Sequence, residues 1–310
     1  MELFIEKEFL DDFYIAYDSS SIDNAVKAII TNYGDKKVFI DYDEDDFIRF
    51  KSENEFFALI CNITVPRSVT NFKESINNCE FKQTLVFTKK REAWFDEFSN
   101  KGALCFCFDD YKNEINKIID ALHFKIDLSK PFVGWQFLDC YNTLNFETII
   151  ISDRYILSDK SNQKIKENII PLLQKMVLNK EREISINIFT KDLNPISDSA
   201  PHKEEKARKR FSNLNSVFAS YRTKFSIILS DFPVIDHNLH DRYIATNFSL
   251  MDSGVGFNLM PMKKSDSQII SETIFEKYTY DRLKNLTKIQ TAYLLKLKRL
   301  ETLDFKMFPK

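Results

Sequence analysis

The segment Asp236-His237-Asn238-Leu239-His240-Asp241-Arg242-Tyr243-Ile244-Ala245-Thr246-Asn247 gathers the side chains of this chain best able to do chemistry. If Leu239 to Thr246 is a strand, successive side chains alternate faces. His240 and Arg242 then emerge side by side, while Tyr243 and Ala245 face the opposite layer. A histidine next to a fixed cation suits phosphodiester cleavage. The imidazole attacks phosphorus or acts as general acid, and the guanidinium binds the non-bridging oxygens. Asp236, His237, His240 and Asp241 can also be read as zinc or manganese ligands. Nothing elsewhere in the chain supplies a partner motif, and an Asp/His-rich entrance to a strand is more often a solvated turn. No metal and no other cofactor is therefore expected.

Four further features are candidates for binding. Ser253-Gly254-Val255-Gly256 holds two of the five glycines, Gly254 and Gly256, at a turn where backbone can approach a ligand closely, or where a hairpin simply closes. Asp153 ends the apolar run Glu147-Thr148-Ile149-Ile150-Ile151-Ser152, which places it at the carboxyl edge of a parallel sheet, where ligands bind. A helix N-cap or an ion pair with Arg154 is its plainer role. The run Lys203 to Arg210 has five bases and two acids, so Lys206, Arg208, Lys209 and Arg210 can track a phosphate backbone or form an ordinary solvated face. Residues 282–299 carry six bases and no acid. His123 and His202 have no supporting pattern.

The elements that must position these residues follow an α/β rhythm. Leu3-Phe4-Ile5, Val38-Phe39-Ile40 and Phe47-Ile48-Arg49-Phe50 read as strands, with a helix from Ser21 to Ile30. Thr84 to Phe87 is a strand, Glu92 to Ser99 a helix closed at Gly102, and Ala103 to Phe108 a buried strand followed by a helix through Leu122. A second series has a strand at 147–152, a helix from Asn162 to Leu178 kinked or restarted at Pro171, and a strand from Glu183 to Phe189. It continues with a polar loop at 192–202, a helix from Lys203 to Arg222 and a strand from Phe225 to Ser230. The tail from about Ser267 to Leu300 reads as helical. Its Leu283, Leu286, Gln290, Tyr293, Leu297 and Leu300 form a short heptad-like seam, which packs on the chain's own body or pairs two chains into a homodimer. Strands alternating with helices imply two largely parallel α/β domains. Turn chemistry at Lys130-Pro131-Phe132-Val133-Gly134-Trp135 marks the boundary. The expected division is 1–140, 141–265 and a C-terminal helical tail at 266–310.

Composition narrows the function classes. The chain has 310 residues, 44% hydrophobic and 29% charged, which fits a folded chain and not a disordered one. No stretch approaches the roughly 18 uncharged apolar residues of a membrane helix. The start Met1-Glu2-Leu3-Phe4-Ile5-Glu6 lacks the basic head and apolar run of a signal peptide, so a cytoplasmic protein without membrane partners is expected. Neither G-x-x-x-x-G-K nor G-x-G-x-x-G occurs, which removes the usual support for ATPase and dinucleotide readings. Cys61, Cys79, Cys105, Cys107 and Cys140 contain no C-x-x-C pair and are expected as reduced thiols. Residues 1–60 hold 15 acids and 6 bases, so the net charge of -2 conceals an acidic start and a basic remainder.

The order strand, His240-x-Arg242, Asn247, then Gly254 resembles a worn form of the phospholipase D superfamily motif, in which His-x-Lys is followed by Asp and then Gly-Ser. His240 matches the family nucleophile. Arg242 stands for its lysine, Asn247 for its aspartate, and Gly254-Val255 for Gly-Ser. The resemblance covers roughly residues 145–262 and is closest to the degenerate MIT C-terminal domain. It implies a phospholipase D-like fold that has lost the full catalytic set and acts in binding. Ser152-Asp153-Arg154-Tyr155-Ile156 also echoes His240-Asp241-Arg242-Tyr243-Ile244, with Ser152 in the histidine's place. The role this implies is a recognition subunit for nucleic acid or a protein partner in a multi-component bacterial system, by association one of antiviral defence. The alternative is a dimeric, metal-independent phosphodiesterase or nuclease in which His240, Arg242 and Asn247 are catalytic.

Overall fold

The structure, a computed structural model, describes residues 1–158, 162–180, 182–190, 200–229, 242–260, 264–299 and 307–308. The chain forms two α/β units, the first Met1–Ala121 with Ile274–Tyr280, the second Leu122–Thr273 with Asp281–Lys310. Among the described residues no helix is long and apolar enough to cross a membrane.

In the first unit five parallel strands, β1 (Glu2–Ile5), β2 (Lys37–Ile40), β3 (Arg67–Ser68), β4 (Thr84–Thr88) and β5 (Ala103–Cys107), lie in the order β3-β2-β1-β4-β5. Leu3, Phe4 and Ile5 point alternately to opposite faces and are all fully buried, so both faces of β1 are covered. Seven helices join the strands: α1 (Lys7–Ala16), α2 (Ser21–Thr31), α3 (Phe47–Glu53), α4 (Glu55–Ile63), α5 (Phe72–Asn77), α6 (Phe95–Asn100) and α7 (Tyr111–Leu122). The abundant phenylalanines make this core aromatic. Phe4 stacks on Phe39 at 4.5 Å beside Val86, and on the other face, where Phe9 meets Phe87, Phe9, Phe13, Phe56 and Tyr111 pack edge to face or tilted.

Phe47 to Phe50, expected as a strand, is the helix α3 instead. Phe47 and Phe50 lie one helical turn apart and both pack on Phe57, with ring centroids at 5.5 and 4.2 Å. The Asp43 side chain accepts the Asp45 N–H in the turn that leads into it. An apolar pair three residues apart serves one helix face as well as it serves an irregular strand, and packing of both rings on Phe57 selects the helix.

Among the described residues the second unit is built on one mixed sheet of eight strands: β6 (Phe124–Asp127), β7 (Thr148–Ser152), β8 (Ile184–Thr190), β9 (Thr223–Leu229), β10 (Tyr243–Ala245), β11 (Ser249–Ser253), β12 (Gln268–Thr273) and β13 (Met307–Phe308). Their order is β13-β9-β8-β7-β10-β11-β12-β6. β7, β8 and β9 are parallel, and β10, β11, β12 and β6 continue the sheet antiparallel. The helices are α8 (Gln163–Glu167), α9 (Ile169–Val177), α10 (Ala200–Val217) and α11 (Lys277–Arg299), the first turn of α11 belonging to the first unit. The helix expected over 162–178 is interrupted at Asn168, which leaves Pro171 in the first turn of α9, where its missing N–H costs no hydrogen bond.

The structure corrects two further expectations. The tail is not helical from Ser267, because Gln268–Thr273 alternates half-buried and buried positions and pairs with β11 and β6. The chain enters the second unit at Leu122, ahead of the turn at 130–135, because Phe124–Ser271 pairing makes β6 an edge strand of the second sheet. Leu283, Leu286 and Gln290 of the α11 seam are buried within the chain itself.

Candidate functional site

The parallel strands β7 and β8 carry the polypeptide to one sheet edge, and Asp153 is the first residue beyond β7. Its backbone N–H donates to the Phe189 carbonyl of β8. The side chain is 2% exposed, and both carboxylate oxygens accept backbone N–H groups. Tyr155 N–H reaches Oδ1 at 2.8 Å, and Phe257 N–H reaches Oδ2 at 3.1 Å. Burial pushes the carboxyl above the ordinary Asp range, while these N–H groups and the Arg242 charge pull the other way. Asp153 thus fastens the turn at 154–157 to the turn that follows β11.

Gly256 makes that junction feasible. Its φ is +82°, and a Cβ there would lie 2.5 Å from Asp153 Oδ2 and 2.9 Å from Arg242 Cδ. Ser253 Oγ donates to the Gly256 carbonyl at 2.8 Å, and the Ser253 N–H to the Arg242 carbonyl at 2.9 Å. Gly254, the other glycine of the turn, is exposed and does not adopt a positive φ. A Cβ on Gly254 would meet only the Ser267 hydroxyl, at 2.8 Å.

Arg242 enters β10 beside Asp153. Tyr243 pairs antiparallel with Ser152, so the end of β7 and the start of β10, each beside one copy of the echo, share one edge. The copies are not structural repeats, since 154–157 is a turn and 243–245 a strand. They nevertheless meet. The guanidinium carbons of Arg154 and Arg242 lie 5.3 and 5.6 Å from the Tyr155 ring centroid. Spacing alone does not mark Arg154 and Tyr155 as binding residues, although the echo contains both.

Asn247 lies apart from this cluster. Its Oδ1 accepts the N–H groups of Glu147 and Thr148, each at 3.0 Å, where β7 begins. Ser152 and Arg242 are at the other end of that strand, roughly 13 Å away at the rise of an extended chain. His240, with Asp236, His237 and Asp241, lies outside the described residues.

On α10, Arg208 and Lys209 are exposed, Lys206 is half-buried, and Lys209 pairs with Glu205 at 2.7 Å. Arg210 is turned inward at 7% exposure, on the same helix face as the buried Ala207 and Leu214. The outward basic face is therefore narrower than the sequence run.

The first unit has its own edge of note, where strand order reverses at β1. Glu6 Oε2 accepts the Lys89 N–H at 2.6 Å, and Asp41 Oδ1 accepts the Lys7 N–H at 2.5 Å. Burial raises both carboxyls above their ordinary range. The acidic count of residues 1–60 contains both, but only strand pairing brings them to one edge. Among the described residues no group of three or more His, Cys, Asp or Glu could hold a metal ion. All five cysteines are free thiols, and burial pushes Cys105 up to about 12 and Cys140 up to about 11.

No protein-family model matches the chain, and no curated protein matches it significantly.

Proposed function

We infer that the second unit is a nucleic-acid recognition domain of worn phospholipase D-like character that binds and does not cleave. One observation carries the reading: Asn247, which stands for the motif's aspartate, is spent on architecture, as is Asp153 beside Arg242. Both Asp153 oxygens hold backbone N–H groups, and Asn247 holds the start of β7, at the far end from Arg242. Phosphodiester cleavage needs its nucleophile, cation and supporting polar groups around one phosphorus. Binding needs only cations at a surface, and Arg154, Arg242, Arg208 and Lys209 supply them.

The test is incubation of the pure protein with labelled single- and double-stranded DNA and RNA in EDTA, recording binding and cleavage for wild type and His240→Ala. Binding that weakens steeply with salt, without cleavage in either protein, is the expected result. Cleavage that His240→Ala abolishes would replace this reading with the dimeric phosphodiesterase. Absence of binding to every probe would end it in favour of a protein partner.

A further inference from the structure

The second sheet ends at β6, and among the described residues no strand pairs with its outer side. The hydrogen bonds of the neighbouring strands show which of its backbone groups face outward. Thr246 N–H donates to the Ser249 carbonyl and Ser253 N–H to the Arg242 carbonyl, so positions 249, 251 and 253 turn toward β10, and 250 and 252 toward β12. Their partners Glu272 and Ile270 therefore face β11, which leaves Ile269 and Ser271 facing β6. Those two pair with Ile126 and Phe124, and the Leu128 N–H donates to the Ser267 carbonyl in the same phase. Lys125 and Asp127 are thus the residues of β6 whose N–H and C=O groups point away from the sheet.

The side chains divide in the same way. Phe124 and Ile126 lie on the face of the buried Ser271 and Ile269, yet they are only half-buried themselves, because the sheet stops there. Lys125 and Asp127 are exposed on the opposite face. The Ser129 N–H and hydroxyl donate to Asp127 Oδ1 at 2.9 and 2.7 Å, which anchors the carboxylate at the strand end.

We propose that β6 pairs antiparallel with β6 of a second copy of this chain, Lys125 opposite the partner's Asp127 and Ile126 opposite the partner's Ile126. A two-fold axis at Ile126 makes 125 and 127 the hydrogen-bonded pairs, each exchanging both N–H···O bonds between groups that face outward in the single chain. The Ile126 pair between them is of the non-hydrogen-bonded kind, whose side chains come closest, and it carries the apolar face across the junction. Charge fixes the register. A slip of two residues sets Lys125 opposite Lys125 or Asp127 opposite Asp127, and like charges directly opposite destabilise a strand pair. Edge strands commonly carry charges that repel a copy, whereas a lysine and an aspartate at this spacing admit one in a single register. The pairing does not rest on nucleic-acid recognition, and it leaves the α11 seam to its packing within the chain.

An edge of four residues buries less than the about 1,200–2,000 Å² of a stable interface, so a dissociation constant of roughly 10–100 μM is expected. Sedimentation velocity of the full chain across that range should show a monomer–dimer equilibrium. Lys125→Glu and Asp127→Lys each set like charges opposite one another at both pairs, and each alone should weaken the dimer at least about tenfold. Mixed in equal amounts, the two variants regain opposite charges at both pairs, so the mixture should dimerise as wild type does. A wild-type chain that stays monomeric throughout, or a dimer that Lys125→Glu leaves unchanged, overturns the proposal. A mixture of folded variants that dimerises no better than either alone overturns it as well. Wild type and Lys125→Glu decide the matter even where loss of the Ser129 bonds unfolds Asp127→Lys, which a thermal melt of each variant shows.

Discussion

Lys36 shows burial acting on a single side chain. It is 5% exposed, and its ammonium donates to the Ile29 and Ile30 carbonyls at the end of α2. Loss of hydration pushes its pKa down from 10.5 to about 7. Between pH 7 and about 10 the unfolded chain then binds the proton more strongly than the folded one, so stability rises with pH across that window. Denaturant unfolding at pH 7 and pH 9 should show wild type gaining up to about 1 kcal/mol per pH unit over Lys36→Met. Parallel pH profiles for the two proteins would refute this. Asp153 follows the same logic with opposite charge, and neither environment is visible in sequence. Lys36 reads as one base of the pair Lys36-Lys37, and Asp153 as one acid at a strand end. The neighbours that dehydrate them come from other elements.

The break between α8 and α9 is the clearest case at the scale of elements. Asn168 is fully buried. Its Oδ1 accepts the N–H groups of Leu259 and Met260 at 2.8 and 2.7 Å, and its Nδ2 donates to the Met260 and Lys164 carbonyls. Asn168→Ala strands two backbone donors and should cost about 2–4 kcal/mol in thermal or urea unfolding. A loss under about 1 kcal/mol would mean that water replaces the amide. The sequence marks an irregularity in this helix through Pro171, yet the interruption falls three residues earlier, at Asn168, whose buried side-chain amide is bonded by the backbone of 259–260. α3 and β12 miss their sequence expectations for related reasons. Phe47 and Phe50 fit two periods, and only packing on Phe57 selects one. Gln268–Thr273 continues a helix pattern, and pairing with β11 and β6 makes it a strand.

For the whole molecule, the first unit is completed by a segment distant in sequence. Ile274–Tyr280 belongs to it: the Tyr33 hydroxyl donates to the Ile274 carbonyl, the Tyr280 hydroxyl donates to the Gly34 carbonyl, and the two rings stack at 4.4 Å. Tyr280 is 1% exposed, so Tyr280→Ala should destabilise the protein by about 3–5 kcal/mol, against about 1 kcal/mol for Tyr280→Phe, which loses only the hydroxyl. Similar melting temperatures for Tyr280→Ala and wild type would show that the segment does not support the fold. The sequence by itself determined the α/β class and most strand positions, because continuous apolar runs and their alternation with amphipathic stretches are local properties. Only the tertiary structure decided which of those residues meet. Antiparallel pairing of β7 with β10 sets Arg242 beside Asp153 and sends Asn247 to the other strand end, and packing of α10 turns Arg210 inward. Register joins residues about ninety positions apart, and no local pattern encodes which strand end a side chain will share.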